Sequence, residues 1–506
     1  MGAFEVILCT CLVLLCLWKG LKTFLRYFWI SRKVSYIAGP PLIGVIKNVL
    51  LNKTSFAQLF LDLYNHPKTR KDAVTGFYFF HKPCLLIRDP ELIKRILVKD
   101  FNQFMDRRMA SDPESDPIGM NTLVNVKGDT WRNIRNHITP VFTAHKLKNF
   151  FPLVVDVCED LEVKLAKEIP SGTSGEINLK EFAGLYTVET IASCAFGVKA
   201  NCFLNPDSDF LKKAQRVVDP SDFKRVIELG ACFFFPEFAS VFKLRFYSKE
   251  TDEFLRTAIL EVMEEREKSG SKRNDLIDAL ITMKNTQKEI FHTDCLIAQA
   301  AVFLAAGYET SSSVLSFALY ELARHQDMQE KLRNELMDFA KSGKEMNYEN
   351  FANLEYLHMV FQETLRLYPS IPFLERTCQP ADGSESYSLA PFHDFSVPKG
   401  MPIYIPAIAI QRDPNFFPDP LSFRPDRFAV DAEPRIDHNL LLGFGQGPRN
   451  CLGSRFGTLQ VKMALATILP KYRLSFCKKT PQKIVFNKKT VPMFSEEPLI
   501  ITFREI

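Results

Sequence analysis

The chain has 506 residues, 46% of them apolar and 24% charged, a globular composition able to bury a large core. A formal charge of +5 with no Lys/Arg-rich run excludes nucleic acid as the organising partner. Twelve cysteines without a repeated spacing read as reduced thiols, and nine histidines without H-E-x-x-H or H-x-x-x-H spacing argue against a hydrolytic zinc centre.

The first element in chain order is an apolar leader, MGAFEVILCTCLVLLCLWKG, interrupted between Phe4 and Trp18 only by Glu5 and Thr10. It falls slightly short of the ~20 residues that span a bilayer, a deficit that snorkelling flanks cover. No basic start or small-residue cleavage site marks a cleaved signal. Lys19, Lys22, Arg26, Arg32 and Lys33 follow at once, and the positive-inside rule then places the rest of the chain in the cytosol. Residues 1–18 are expected to be an uncleaved membrane anchor, and residues 19–41 a basic flank ending in a stiff Gly-Pro-Pro elbow. There is no Arg-rich amphipathic presequence, which favours the endoplasmic reticulum membrane over the mitochondrion.

Length alone predicts two or three domains at roughly 100–200 residues each. Yet no repeat, low-complexity tract or long linker divides residues 42–506. The segment ACFFFPEFASVFKLRF (231–246) is Phe-rich and broken by Pro236. It reads equally well as aromatic core packing or as a route for apolar molecules. The stretch 293–324 starts with a Thr/Asp cap signal and runs without proline. Its first half is apolar all round, so it is expected to cross the core. Its apolar run Ala300–Ala306 is too short for a bilayer. LEYLHMVFQETLRLYP (354–369) predicts a second helix stopped by Pro369. Strand signals are short and lie late in the chain, as in MPIYIPAI and PLIITF. A third helix follows Cys451, with Leu452, Phe456, Leu459, Met463 and Ala466 at helical spacing. The fold class is mainly α with small β-sheets at its edge.

FGQGPRNCLG (444–453) holds the one motif with distinctive chemistry. A dinucleotide fingerprint would need glycine where Pro448 stands. Cys451 precedes a helix N-terminus, whose free N–H groups favour a thiolate. Gly445 and Gly447 let backbone approach a flat object, Gly453 leaves room for the new helix, and Arg449 reaches an anionic edge. A planar, metal-centred dianion with one thiolate ligand is haem. The plain alternative is a buried cysteine beside a glycine turn.

The pattern F-x-x-G-x-R-x-C-x-G, at Phe444, Gly447, Arg449, Cys451 and Gly453, matches the haem-binding signature of the cytochromes P-450. Glu363 and Arg366 stand in that family's E-x-x-R spacing, and FRPDRF (423–428) resembles the segment whose Arg427 joins them. AAGYETS (305–311) is similar to its oxygen-activation motif, and WRNIR (131–135) to its W-x-x-x-R helix. The resemblance covers nearly the whole chain and is nearest to microsomal members, particularly insect ones that oxidise foreign compounds.

The resemblance implies a cytochrome P-450 fold with an N-terminal membrane anchor helix, and residues 42–506 as a single haem-binding catalytic domain. It implies haem held by Cys451 as axial ligand, with Phe444 and Gly453 in the binding loop. Trp131, Arg135, Arg376 and Arg449 are then donors to the haem propionates. Glu363, Arg366 and Arg427 form a structural ion triad rather than a solvated surface pair. Ala306 and Gly307 bulge the helix open, and Glu309 and Thr310 deliver protons during oxygen activation. Thr310 has a plainer reading, a hydroxyl bonded back to the Ala306 carbonyl. The Phe-rich segment corresponds to a substrate entry that touches lipid.

No flavin or nicotinamide fingerprint appears, so electrons are expected from the NADPH–cytochrome P-450 reductase, with a cytochrome b-type donor as a second source. Arg132, Lys146, Lys148 and Lys462 are candidates for the docking face. The expected activity is a monooxygenase inserting one atom of O2 into an apolar small molecule. A haem-thiolate isomerase or dehydratase acting without O2 is the alternative, and a non-catalytic haem carrier a third reading. The Glu309–Thr310 pair favours the first.

Overall fold

The apolar stretch at 293–324 folds into one helix, Thr293–Arg324, and the rest of the chain is arranged around it. In this computed structural model, which describes residues 3–205, 208–216 and 222–506, that helix is buried along most of its length. It packs against the helices Leu179–Ile191, Ser454–Ile468 and Glu355–Leu367. The Thr/Asp cap signal acts differently from expectation. His292 occupies the cap position without a side-chain bond, while Asp294 lies in the first turn and pairs with Arg256 at 2.5 Å. Among the described residues this is the one helix long and apolar enough to cross a membrane. Its apolar surface is covered by protein, as a core helix requires.

Residues 1 and 2 of the expected anchor lie outside the described residues. Ala3–Ile30 form a single 28-residue helix, so the leader does not stop at residue 18 but continues through the basic flank. Phe4, Ile7, Leu14 and Leu17 are exposed on its first part. Its last turn docks on the body through Trp29, which is fully buried between Tyr78 and Phe395 at 6.1 and 6.0 Å. Gly76 makes that close approach possible, because a Cβ there would lie 2.4 Å from the indole.

Three small sheets flank the helices. In the largest, Val74–Phe79 pairs antiparallel with Lys82–Ile87, which runs parallel to Pro402–Ile405, itself antiparallel to Leu374–Thr377. This register places Glu375 opposite Tyr404 and Arg376 opposite Ile403, so these neighbours point to opposite faces. A second sheet joins Ser174–Asn178, Ile500–Glu505 and Tyr472–Phe476, and the smallest pairs Ser386–Ser388 with Ser396–Pro398.

The Phe-rich segment divides between its two readings. Phe234 is buried, stacked on Phe56 at 6.1 Å and edge-on to Phe79 at 5.3 Å. Past the short helical turn Pro236–Phe238, Val241 and Phe242 are 72% and 68% exposed.

The docking of the first helix is testable by thermal unfolding. Trp29→Ala removes a fully buried indole and is expected to cost about 3–5 kcal/mol, lowering Tm by several degrees. Deletion of residues 1–18, which leaves Trp29 in place, is expected to leave Tm unchanged.

Candidate functional site

The site is built outward from one buried carboxylate. Glu363 and Arg366 lie one turn apart on Glu355–Leu367, and neither is exposed. Arg366 donates to Glu363 from Nε and Nη2 at 2.6 and 2.8 Å, and Arg427 Nε donates to the same carboxylate at 3.0 Å. The backbone N–H of Arg424 adds a fourth bond at 2.7 Å. Arg366 also donates to the carbonyls of Gln411 and Pro420, and Arg427 to that of Pro418, at 2.7–2.9 Å. Desolvation of these charges is offset because the guanidinium groups reach acceptors on several sides. The triad thereby clamps segment 418–427 to the helix.

Gln411, fully buried, carries the clamp to the Cys loop. Its Nε2 donates to the carbonyls of Leu365 and Arg366 at 3.2 and 2.8 Å, and its Oε1 accepts the Leu442 N–H at 2.5 Å. Gly443 follows, set so close to Leu365 that a Cβ would lie 2.5 Å from its Cγ. Nothing in the linear pattern marks Gln411 as functional.

Within the loop the Cys451 N–H donates to the Phe444 carbonyl at 2.8 Å, and that of Asn450 to Gly447 at 3.0 Å. Phe444 stacks on Phe361 at 6.1 Å. Gly447 has φ +71°, and a Cβ there would lie 1.8 Å from the Leu97 carbonyl oxygen. This glycine therefore serves a contact with the protein's own backbone, a correction to the expectation that it makes room for a flat ligand. At Gly453, expected to leave room for the new helix, no heavy atom lies within 4 Å on the Cβ side.

Cys451 is exposed although protein surrounds it, and so is Ala306, halfway along an otherwise buried helix. Exposure at two such enclosed positions marks an internal space. Because that space is not bulk water, burial pushes the Cys451 thiol up, while the Gly453 N–H, Arg135 and Arg107 pull it down. The helix terminus alone does not secure a thiolate here. A coordinated metal ion would, since it deprotonates a thiol outright.

Around this space the charge balance is strongly positive. Arg376 is fully buried and donates from Nη1 to the Glu375 carbonyl at 2.8 Å, but its Nε and Nη2 have no acceptor. Arg449 donates to the carbonyls of Val124 and Val126 at 3.2 and 2.6 Å and lies 4.7 Å over the Trp131 ring, while its Nε has no acceptor. Burial, and then the neighbouring Arg107, push Arg376 down to about 9 and Arg449 down to about 8. Glu375, on the other face of the strand from Arg376, lies within the field of Arg107, Arg376 and Arg108 and accepts the Arg108 N–H. Buried donors without acceptors are costly, and three of them beside a cationic cluster suit the anionic edge of a bound group. Arg107 was not marked by the sequence motifs.

The other expected donors are placed nearby. Trp131 is buried between Phe101, at 5.6 Å, and Arg449. Arg135 is joined to the loop itself, donating from Nη1 and Nη2 to the Asn450 carbonyl and side-chain oxygen at 3.1 and 2.9 Å.

On the facing helix, Thr310 Oγ1 donates to the Ala306 carbonyl at 2.5 Å, the plainer of the two readings of this residue. The expected bulge at Ala306 and Gly307 is not formed. The helix is continuous, and Gly307 rests against Ile191, whose Cδ1 would lie 3.0 Å from a Cβ. Glu309 is buried, and its carbonyl accepts the Ser312 hydroxyl at 3.1 Å.

Of the expected docking cations, Lys462 is corrected. It is buried, because its helix turns that side toward the core. Lys146 is exposed, Lys148 pairs with Glu349, and Arg132 is held by Asp129 and Asn102 at 3.0 and 3.1 Å.

One thiol on a braced loop, facing an internal space rimmed by acceptor-less guanidinium donors, has the chemistry of a haem-thiolate protein. The chain belongs to the cytochrome P450 family, whose model matches residues 38–503. It is 37% identical over 479 residues to the probable cytochrome P450 6g2 of Drosophila melanogaster, covering 92% of each chain. To the probable cytochrome P450 6w1 of the same organism it is 37% identical over 488 residues, covering 95% of this chain and 94% of the relative. Cytochrome P450 6j1 of Blattella germanica is 36% identical over 463 residues, covering 91% of this chain and 90% of that one. The protein is an oxidoreductase of this monooxygenase family.

The brace makes its own prediction. Glu363→Ala leaves two buried guanidinium groups uncompensated and is expected to cost about 3–5 kcal/mol in denaturant unfolding. Gln411→Leu leaves the Leu442 N–H unpaired, costs about 1–3 kcal/mol, and is expected to speed haem loss from the loaded protein.

Proposed function

We propose that the protein is a haem-thiolate monooxygenase that converts RH, O2, two electrons and two protons into ROH and H2O, with RH an apolar small molecule. The observation that carries this reading is Cys451, presented from a braced loop to an internal space where Arg376 and Arg449 hold donors without acceptors. Haem bound there supplies oxygen-activating redox chemistry, with the cysteine ligand directing electron density onto iron. Cys451 is the metal ligand. Arg376 and Arg449 donate to the propionates, and Trp131 supports Arg449 through the face of its ring. Arg135 fixes Asn450, the residue before the ligand, and so acts on the Cys loop, a role beside the propionate donation expected of it. Phe444 screens the sulfur side from water, and Gly453 leaves the macrocycle room.

Thr310 and Glu309 move protons. The Thr310 hydroxyl turns from the Ala306 carbonyl to hold a water over the haem face, and Glu309 relays a proton toward it. Electrons come from a separate NADPH-dependent reductase or a cytochrome b-type donor, docked on the loop side where Arg132 and Lys146 remain accessible.

Membrane attachment fits the surface. The exposed apolar side chains of Ala3–Ile30 form the anchor, which places residues 42–506 on the cytosolic face of the endoplasmic reticulum. Gly44, beside the elbow, bridges to Phe79, and the adjoining Phe80 packs on Phe235 at 4.6 Å. The exposed Val241 and Phe242 thus belong to a segment anchored next to the elbow, suited to touch the same lipid.

Turnover with NADPH, reductase and O2 tests the reaction class, because an isomerase or dehydratase needs none of them. Cys451→His is expected to retain haem while losing both turnover and the red-shifted carbonyl band of the reduced protein. Survival of both would reject Cys451 as ligand. Thr310→Ala is expected to keep haem and to consume NADPH and O2, while product per NADPH falls and hydrogen peroxide rises. A positioned proton donor contributes about 10²- to 10⁴-fold, part of which water replaces. Thr310→Ser is expected to restore coupling. Unchanged coupling in Thr310→Ala would leave this residue a helix position bonded to Ala306.

A further inference from the structure

A cleft of about 380 Å³ lies between the helix Glu355–Leu367, the helix Ser454–Ile468 and the start of the Cys loop. It is separate from the haem space, since Cys451, Ala306, Arg376 and Arg449 do not line it. Much of its wall is apolar, including Phe351, Phe361 and Leu459. Lys462 does not fit such a wall. It is 3% exposed, and among the described residues no carboxylate pairs with its ammonium, which instead lies 5.3 Å over the Phe351 ring. Glu335 attracts it from a distance, but that carboxylate is engaged elsewhere. Its two oxygens accept the N–H groups of Tyr356 and Leu357 at 2.7 and 2.9 Å.

Burial pushes Lys462 down to about 8, the consequence of holding an ammonium out of water without a counter-ion. His358 opens onto the same cleft. The protein around it, and then the Lys462 charge, push its imidazole down to about 4, so it offers hydrogen bonding without adding charge. Arg366, committed to Glu363, and the exposed Arg455 also line the cleft, which leaves Lys462 as its buried cation without a carboxylate partner among the described residues, complementary to a negative charge on an apolar body.

We propose that this cleft, on the cysteine side of the molecule, binds an amphiphilic monocarboxylate. The carboxylate pairs with Lys462 Nζ, and the chain lies along Phe351, Phe361 and Leu459. The cleft reaches Gly443 and Phe444, so its occupant rests against the back of the Cys loop.

The test is calorimetric titration of decanoate into the full-length, haem-loaded protein with the haem-side pocket filled by a saturating azole. The azole's spectral shift reports separately that the haem site is formed, so failure of the haem reading and failure of the cleft are distinguishable. The expected result is saturable binding of one decanoate per protein, weakened about tenfold or more in Lys462→Met. Met replaces the buried ammonium with an apolar chain of similar length, and the azole shift checks that the variant is folded. Decanol on the unaltered protein needs no variant and is expected to bind weaker by a similar factor. Absence of decanoate binding, equal binding in Lys462→Met, or equal binding of decanol would each overturn the proposal.

Discussion

A single buried carboxylate organises the cysteine side of this molecule. Glu363 receives both triad arginines and the Arg424 N–H. A buried charge of this kind does little for net stability against an apolar replacement, but removing one partner is expensive. The gain is in position. Through Gln411 the triad fixes Leu442, two residues before Phe444, whose carbonyl in turn accepts the Cys451 N–H. The place of the thiol is therefore set by hydrogen bonds between elements far apart in the chain, not by the loop's own preferences.

The opposite face of the loop obeys a different constraint. There the protein gathers Arg107 beside Arg376 and Arg449, which have too few acceptors; burial lowers the proton affinity of all three, and repulsion from Arg107 lowers that of Arg376 and Arg449 further. A fold does not keep such an imbalance for stability. A ligand that brings negative charge to the rim would relieve it, and the proposed ligation by Cys451 would set what lies at that ligand's centre. The same reasoning, applied to one cation instead of three, separates Lys462 from its surroundings on the other side of the loop.

Much of this was legible in the linear chain. The long periodic segments gave helices at Thr293–Arg324, Glu355–Leu367 and Ser454–Ile468, within two residues of their expected limits. Resemblance to the cytochrome P-450 motifs also marked Glu363, Arg366, Arg427 and Cys451, because those motifs carry fixed geometry. Residues whose importance lies in a tertiary partner escaped. Gln411 is an ordinary glutamine until Leu442 and Arg366 come within its reach, and Arg107 is one of a pair of arginines until Arg376 and Arg449 converge on it. Gly447 shows that sequence reveals intolerance of a side chain but not what fills the space, here the Leu97 carbonyl. Lys462 had a readable signal, since Leu459, Leu465 and Ala466 stand three or four residues from it on one helix face, yet its charge suggested the surface.

The central claim is that Cys451 delivers sulfur to a metal at the centre of the internal space. Iron-edge X-ray absorption on the haem-loaded protein measures this without turnover, substrate or redox partner. The account predicts a sulfur scatterer bound to iron that disappears in Cys451→His. An iron ligated by nitrogen and oxygen alone in the unaltered protein, or a sulfur shell that survives the substitution, would contradict it.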